Sequence, residues 1–379
     1  MDVENENREQ IRAVVLASLE SQGFILGNGR LVAENGNSKD ASRLLHTQAV
    51  TKKIKNAEGK LKRFEPELVR KYIATGEDIN PEKFDAYLVE VTRKSELEIL
   101  FRYVYTHWAI PVSPGYGRRI RYLVFDRANS KLVGIMGLCD PVYSLTARDK
   151  WIGWDAKTKK EKLCNVMDAF VLGAVPPYSN LLCGKLMAML TLSAEVGELF
   201  EYKYGESQSK IYGMSKNPRL ALVTTTSALG RSSVYNRLHI NGQKYLESVG
   251  YTKGYGEFHF SNGTYGRIFE FVNERCAPMA KNAKWGTGWR NKREVIKRCL
   301  QLVGLPDWIL CHGVNREIFC GRRGFNSLEF LRGENDCLDK FMWTAEELSE
   351  KFKQRWLLKR ASSDSTYLSY ENSQYRLWP

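Results

Sequence analysis

The chain has 379 residues, of which 43% are hydrophobic, and its 57 Lys and Arg against 43 Asp and Glu give a formal net charge of +14. This length is sufficient for about two or three folding units. No apolar run approaches the roughly 20 residues of a membrane helix, and the acidic start MDVENENREQ lacks the apolar stretch of a secretory signal. The sequence therefore predicts a cytoplasmic protein without a membrane partner, and its charge favours a polyanionic partner.

The eight cysteines occur singly, without a Cys-x-x-Cys pair, and the five histidines do not cluster with them. This spacing argues against a structural zinc site. A disulfide framework is not expected in a chain of this size. We therefore predict no metal site.

Helical patterns dominate residues 1–111, which we predict to be a helical N-terminal region. Apolar residues recur at helical spacing from Arg8 to Gly23, and a second helix follows Ser38, which stands in an N-cap position. Two shorter helical segments follow, ELVRKYIATG and SELEILFRYVYTHWA.

Strand patterns begin after PVSPGYGRR, and residues 112–262 are predicted to form an α/β core. RYLVFDR and KLVGIMGL, separated by a polar turn, are typical of a β-hairpin. A polar loop with RDKWIGW leads to the strand VMDAFVLGAV, the turn PPYSN and one long helix, LLCGKLMAMLTLSAEVGELFEYKYG. Further strands are predicted in ALVTTTSAL and at the end of QKYLESVGYTKGYGEFHF.

Residues 263–379 are predicted to be a basic, mainly helical C-terminal region. REVIKRCLQLVG and AEELSEKFKQRWLLKR have helical periodicity, and the segment HGVNREIFCGRRGFNSLEFLRGEN between them is interpreted as loop-rich. The Ser- and Tyr-rich residues beyond Ala361 are interpreted as a loose tail or an arm.

The segment VMDAFVLGAVPPYSNLLCGKLMAML predicts an anion site. A helix that begins directly after a strand presents unpaired N–H groups and the positive end of its dipole. Asn180 stands in an N-cap position, and Gly184 in the first turn lets a ligand approach the backbone. An ordinary strand–helix crossover is the alternative.

This strand–turn–helix resembles that of the GNAT acyltransferases, in which the turn Q/R-x-x-G-x-G/A binds phosphate. Here the turn is Asn180-Leu-Leu-Cys183-Gly184-Lys185, with one glycine. The resemblance implies an acyl-CoA or a related nucleotide-linked donor, bound by Asn180, Cys183, Gly184 and Lys185. It also implies a tyrosine that protonates the leaving thiolate, for which Tyr235 is the candidate and Tyr251 the reserve.

Aromatic and basic residues alternate in two segments, a pattern typical of nucleic-acid binding. In RDKWIGW, Trp151 and Trp154 follow Arg148; the alternative is that both tryptophans fill the core while Arg148 pairs with Asp149. In AKNAKWGTGWRNKREVIKR the alternative is a solvated helix start. The predicted DNA-binding residues are Arg118, Arg119, Arg148, Trp151, Trp154, Arg231, Trp285, Trp289, Arg290 and Arg293.

Together, GYGRRIRYLVFD, KLVGIMGLCDPVY, RDKWIGW, AVPPYSNLLCGKLMA and VTTTSALGRSSVYNRL resemble the DruA family, a component of the Druantia antiphage system. The resemblance is clearest from about Pro111 to Arg323. It implies a role in phage–host conflict, with other defence-system proteins as partners, and names no catalytic residues. A more distant resemblance to the Mom family of phage DNA-modification proteins rests on GYTKGYG.

We therefore predict an α+β fold, with a GNAT-like mixed central sheet and helical additions at both ends. The predicted function is transfer of a group to a DNA base, with Tyr235 handling a proton and Asp168 or Asp140 orienting the acceptor. Two alternatives stay open: a non-enzymatic nucleic-acid sensor or adaptor, and a metal-dependent nuclease that uses Asp140, Asp149 and Asp168. A V-shaped gap between the strands before Pro176 and Gly230 would favour the transferase.

Overall fold

The computed structural model describes residues 2–33, 39–110, 115, 117–206, 218–240, 242–260, 263–278, 285 and 289–378. Its helices are α1 (Asp2–Glu20), α2 (Lys39–Leu61), α3 (Glu65–Tyr72), α4 (Glu96–Thr106), α5 (Thr146–Ile152), α6 (Ala156–Lys162), α7 (Cys183–Leu190), α8 (Ala194–Tyr204), α9 (Thr264–Arg275), α10 (Trp289–Leu302), α11 (Ser327–Arg332), α12 (Ala345–Phe352) and α13 (Leu358–Ser363). A π-helical turn, Lys353–Leu357, joins α12 to α13. Within this described part, no helix has the length and apolar character that crossing a membrane requires.

The strands are β1 (Phe24–Leu26), β2 (Leu31–Ala33), β3 (Ala86–Glu90), β4 (Arg119–Asp126), β5 (Leu132–Cys139), β6 (Val166–Ala174), β7 (Leu222–Thr226), β8 (His239–Ile240), β9 (Gln243–Lys244), β10 (Glu247–Tyr251) and β11 (Glu317–Arg322). Seven of them form one sheet in the order β10-β11-β7-β6-β5-β4-β3. Neighbours are antiparallel except β6 and β7, which run parallel. A parallel pair needs a crossover, which α7 and α8 supply. The predicted α+β class with a mixed central sheet is confirmed.

Each face of this sheet is buried against helices. On one face, called the α7 face, α7, α8 and α12 cover a core that includes Met167 and Val223. On the other, called the α5 face, α5 and α11 cover a core that includes Val166 and Leu222, while α3 and α4 cover β4 and β5. Because successive strand residues point to opposite faces, the sequence order along β6 and β7 decides which side chains meet each helix layer.

A second core lies beside the sheet and joins distant parts of the chain. Val15 of α1, Val272 of α9 and Ile296 of α10 are buried together in it, with Leu31 of β2. The predicted regions 1–111 and 263–379 therefore share one core. The sheet itself also draws on both, since β3 forms one edge and β11 lies between β7 and β10.

The chain after LLCGK differs from the sequence-based expectation. The long helix predicted after LLCGK is two helices, because the chain leaves helical geometry between Leu190 and Ala194. There the Thr191 hydroxyl donates to the Ala188 carbonyl at 2.7 Å, and Ser193 takes an extended N-cap conformation. The N-cap predicted at Ser38 lies outside the described residues.

The C-terminal segment is not a loose tail. Tyr375 and Trp378 are buried in the core beneath α3 and α4. The Glu65 carboxylate accepts hydrogen bonds from the Leu377 N–H at 2.6 Å and from the Tyr103 hydroxyl at 2.9 Å. The chain end is therefore fixed to the N-terminal helices, and its Ser and Tyr content reflects polar and aromatic contacts.

Candidate functional site

The parallel strands β6 and β7 pair over a short distance and then separate. Their register joins three pairs: Val166 with Leu222, Met167 with Val223, and Asp168 with Thr224. Beyond them, β6 continues to Ala174 beside β5, and β7 continues beside β11. One side-chain contact spans the first step of the opening, from the Thr225 hydroxyl to the Ala169 carbonyl at 3.1 Å. The sheet is thus split beyond Asp168.

Asp168 lies at the last paired position, where the split begins. Its carboxylate accepts a hydrogen bond from the Thr224 hydroxyl at 2.6 Å. Burial raises the pKa of Asp168 to about 6, although the hydrogen bond from Thr224 and the positive charge of Arg148 both act to lower it. A carboxylate with this pKa can take up and release a proton near neutral pH. Asp168 is therefore a carboxyl group that titrates near neutral pH at the point where the two strands separate.

The turn between β6 and α7 uses most of its own backbone donors. The N–H groups of residues 179–183 and of Lys185 donate to carbonyls of residues 175–182 at 2.8 to 3.2 Å. These groups are not available to a ligand, contrary to the sequence-based expectation. Gly184 does face open space, since a Cβ built on it would meet nothing within 4 Å.

Two of the residues predicted to bind the donor have structural contacts instead. Cys183 is fully buried in the core, and burial raises the pKa of its thiol well above the ordinary value. The carbonyl of Asn180 accepts a hydrogen bond from the Arg360 guanidinium at 3.1 Å. A donor contact by the Cys183 side chain is therefore excluded by its burial.

Lys185 is a buried cation at the start of α7. It is 7% exposed, and its Nζ lies 5.5 Å from the ring centroid of Trp356. Burial lowers the pKa of Lys185, and the charges of Arg237 and Arg355 lower it further. Among the described residues, no carboxylate forms an ion pair with any of these three cations. We call Lys185, Arg237 and Arg355 the cation cluster; such an excess of positive charge suits a polyanion.

Glu317 fixes the loop that carries Arg237. Its carboxylate is almost fully buried at the start of β11 and accepts hydrogen bonds from the Ser248 hydroxyl at 2.7 Å and the Asn236 amide at 3.0 Å. It also accepts the backbone N–H of Ser232 at 3.0 Å. The loop from Arg231 to Arg237 is therefore held against the sheet, with both arginines exposed.

Tyr235 and Asp168 lie on opposite faces of the sheet. The ring of Tyr235 packs edge to face on Phe319, with centroids 5.2 Å apart, and Phe319 belongs to the core of the α7 face. Burial raises the pKa of Tyr235 to about 12. Asp168 and Thr224 share the α5 face, so the sheet lies between the two predicted catalytic groups.

The motif RDKWIGW forms α5 and the turn after it, and its arginine is internal. Arg148 is 0% exposed and donates to Asp149 at 2.6 and 2.9 Å. Trp154 donates its indole N–H to the Leu331 carbonyl at 2.7 Å, and Trp151 packs on the same core. The structure is therefore closer to the alternative arrangement, with both partly buried indoles packed against the core and Arg148 paired. A direct DNA contact by Arg148 is excluded by its burial.

Asp140 is paired with Arg118, at 2.7 Å between carboxylate oxygen and Nε. Arg118 also donates to the Cys164 carbonyl at 2.8 Å. Both predicted site residues therefore take part in contacts that hold loops together. Arg119 remains exposed. Since Asp149 is paired as well, the three aspartates of the nuclease alternative do not converge, and the described residues contain no group of three or more His, Cys, Asp or Glu placed to hold a metal ion.

The basic C-terminal segment is only partly a surface. Trp285 is 7% exposed and belongs to the second core, so base stacking on it is excluded by burial. Arg293 pairs with Glu257 at 3.1 Å and lies over the ring of Tyr255. The side chains of Trp289 and Arg290 lie outside the described part of the structure.

Sequence reasoning missed Arg355, Thr224 and Glu317 as site residues. Arg355 lies on the turn between α12 and α13, far along the chain from Lys185, and no local pattern links the two. Thr224 sits in the run TTT of β7, where a hydroxyl row on a buried strand was the available signal. Glu317 stood in a segment interpreted as a loop.

The geometry defines an α+β protein whose central sheet splits between a carboxylate on one face and a cation cluster on the other. Residues 36–333 match the model of the family described as Druantia protein DruA. The chain is also 35% identical over 377 residues to the Druantia protein DruA of Escherichia coli (strain UMEA 4076-1). The aligned residues cover 99% of this chain and 91% of that protein. The chain belongs to the DruA family, of the Druantia antiphage system. No solved structure matches it.

Proposed function

We propose that this protein is a GNAT-like group transferase that modifies a DNA base in phage–host conflict, together with other proteins of its defence system. The observation that carries the proposal is the split of the sheet beyond Asp168 and Thr224. A closed sheet would offer no passage from one face to the other. The cation cluster lies on the α7 face and the Asp168 carboxylate on the α5 face, which suits transfer between an anionic donor and a separate acceptor.

The α7 face would hold the donor. Lys185, Arg237 and Arg355 have no carboxylate partner among the described residues, so they fit the phosphates of an acyl-CoA or a related nucleotide-linked donor. Gly184 leaves open space beside them. Such a donor supplies an activated acyl group. On this face, Tyr235 would donate a proton to the thiolate that leaves when the acyl group is transferred.

The α5 face would hold the acceptor. Asp168, with its pKa raised to about 6 by burial, would accept the proton that an exocyclic amine of a base gives up. The Thr224 hydroxyl orients that carboxylate. The net charge of +14 supports a polyanionic acceptor such as DNA.

Mass spectrometry of nucleosides tests the reaction. Cells that express the protein are expected to contain a base with an added group, and Asp168→Asn is expected to abolish it. Asp336→Asn, a change at an exposed aspartate after α11, is the matched control and is expected to keep the modification. An unmodified nucleoside profile under active expression would contradict the proposal.

A thermal shift with acetyl-CoA tests the donor. Stabilisation is expected for the wild type and for Lys83→Met, which removes an exposed lysine. It is expected to be lost in Lys185→Met. Equal stabilisation of Lys185→Met and the wild type would remove the cation cluster from the donor site.

The hydrogen bonds inside the turn before α7 favour a second candidate, a nucleic-acid sensor or adaptor without a donor. That function predicts no shift with acetyl-CoA. It also predicts DNA binding that falls by about 10³ to 10⁵ between 50 and 200 mM salt if roughly six to ten phosphates are contacted.

A further inference from the structure

The loop between β5 and α5 carries an exposed tyrosine on the acceptor side. It leaves the sheet directly after Cys139, the register partner of Asp168. We propose that Tyr143 is the platform on which an unpaired DNA base stacks when it enters the acceptor side; this rests on DNA as the acceptor of the proposed function. Tyr143 is 54% exposed, and its neighbour Val142 is exposed as well.

Arg148 explains why this loop has a defined shape. Its buried guanidinium donates to the Val142 carbonyl at 3.0 Å and to the Tyr143 carbonyl at 3.2 Å. Asp149 fixes the guanidinium in turn. The backbone of two consecutive residues is thereby tied to the protein interior while their side chains stay in solvent. Tyr143 is therefore presented by a rigid support, which lowers the entropy lost when a ligand binds.

The charges around the ring suit a nucleotide. The Lys159 Nζ lies 4.5 Å from the centroid of the Tyr143 ring, and Asp149 holds that lysine at 3.2 Å. Lys150 and Lys157 on the same segment are exposed. One ring face is thus near a fixed cation, and the exposed remainder of the ring can receive a base whose phosphates meet the lysines.

Contacts inside the protein hold the other aromatic candidates of this segment. The Trp154 indole N–H donates to the Leu331 carbonyl, and both partly buried indoles pack against the core beneath α5 and α11. Both indoles thereby help to fix α5, which carries Arg148. We therefore assign to Tyr143, three residues after Asp140, the base stacking that the sequence analysis predicted for Trp151 and Trp154.

Fluorescence anisotropy with a short single-stranded oligonucleotide tests this platform. Tyr143→Ala is expected to weaken binding by about 5- to 150-fold, the range for loss of one base–aromatic stack. Tyr143→Trp is expected to bind as well as the wild type. The matched control is Tyr202→Ala, which removes a tyrosine that is 87% exposed on α8. Its affinity is expected to be unchanged.

The salt dependence separates stacking from charge. Tyr143→Ala is expected to keep the wild-type slope of affinity against salt, whereas Lys157→Met is expected to lower that slope by about one phosphate. A double-stranded oligonucleotide is expected to show less loss than the single strand. Wild-type affinity in Tyr143→Ala, an equal loss in Tyr202→Ala, or equal losses for both oligonucleotides overturn the proposal. Because no donor is present, these outcomes are independent of the nucleoside analysis.

Discussion

Arg148 on the α5 face and Lys185 on the α7 face are both buried cations. Arg148 is surrounded by acceptors: the Asp149 carboxylate and the carbonyls of Val142 and Tyr143. Lys185 has the ring of Trp356 and two further cations near it, with no carboxylate partner among the described residues. A buried cation thus supports a loop at Arg148, whereas the buried cation Lys185 has a positive charge that no carboxylate of the described residues offsets.

The number of acceptors around a buried cation decides its role. A buried charge costs free energy unless hydrogen bonds and an opposite charge offset it. Arg148 has this compensation within the chain, so the folded protein is complete around it. Lys185 lacks it, so an anionic ligand would lower the free energy of the folded state there.

The largest effect is expected from Arg148→Ala. The change removes the guanidinium from two carbonyls and from the Asp149 carboxylate, which keeps only Lys159 at 3.2 Å, and breaking a buried pair in this way costs about 3–5 kcal/mol. Urea unfolding is expected to show that loss. Arg93→Ala, at an exposed arginine, is the control and is expected to stay close to the wild type.

A loss within about 1 kcal/mol, the range of surface ion pairs, would contradict the comparison. It would mean that Arg148 contributes no more than a solvent-exposed residue. The loop of Tyr143 would then need another support.

The sequence predicts the four strands β4 to β7 well but misses β11, which lies beside β7. β4, β5, β6 and β7 follow from runs of apolar and β-branched residues. β11 was missed because it begins with Glu317 and ends with Arg322, and their charges are typical of a loop. The structure satisfies Glu317 with hydrogen bonds from segments distant in sequence, which no local pattern reveals.

For the site, local patterns identified the start of α7 but not what surrounds it. Gly184 and Lys185 follow from the strand–turn–helix order, whereas Arg355 arrives from the helices near the C-terminus. The two states of Trp154, stacked on a ligand or buried, were equally compatible with the sequence. The Leu331 carbonyl, contributed by α11, decides between them.

Arg316 is a third, partly buried cation, and its hydrogen-bond acceptor, the His46 ring, is a group that titrates. Its Nη2 lies 3.1 Å from Nε2 of His46, which is buried. Since an arginine only donates, that ring nitrogen must accept and be unprotonated. Burial and the charge of Arg316 lower the pKa of His46 to about 4, from 6.5.

Stability is therefore expected to fall with pH below 6.5. Above 6.5 the ring is neutral in both states; between 6.5 and about 4 only the unfolded chain takes up the proton, which favours unfolding. From pH 6.5 to 5, His46 contributes a loss of roughly 1.5 kcal/mol. His46→Gln is expected to reduce the measured loss by that amount, although His259 and His312, with pKa values lowered by burial to about 3 and 2, keep part of it. An unchanged pH profile would show that the pKa of His46 is the same in the folded and unfolded states, contrary to this prediction.

The smallest effect is expected from Lys185→Met, and its sign is the informative part. Methionine fills similar space without a charge, so removing the repulsion from Arg237 and Arg355 is expected to raise the free energy of unfolding by about 1 kcal/mol in low-salt buffer without phosphate. Pyrophosphate at ten times its Kd is expected to stabilise the wild type by about 1.4 kcal/mol and the variant much less. Chemical unfolding in both buffers measures the two terms, with Lys83→Met as the control. If the variant is less stable than the wild type without phosphate, Lys185 stabilises the unliganded fold. Lys185 would then be a structural cation like Arg148, with its acceptors already within the chain.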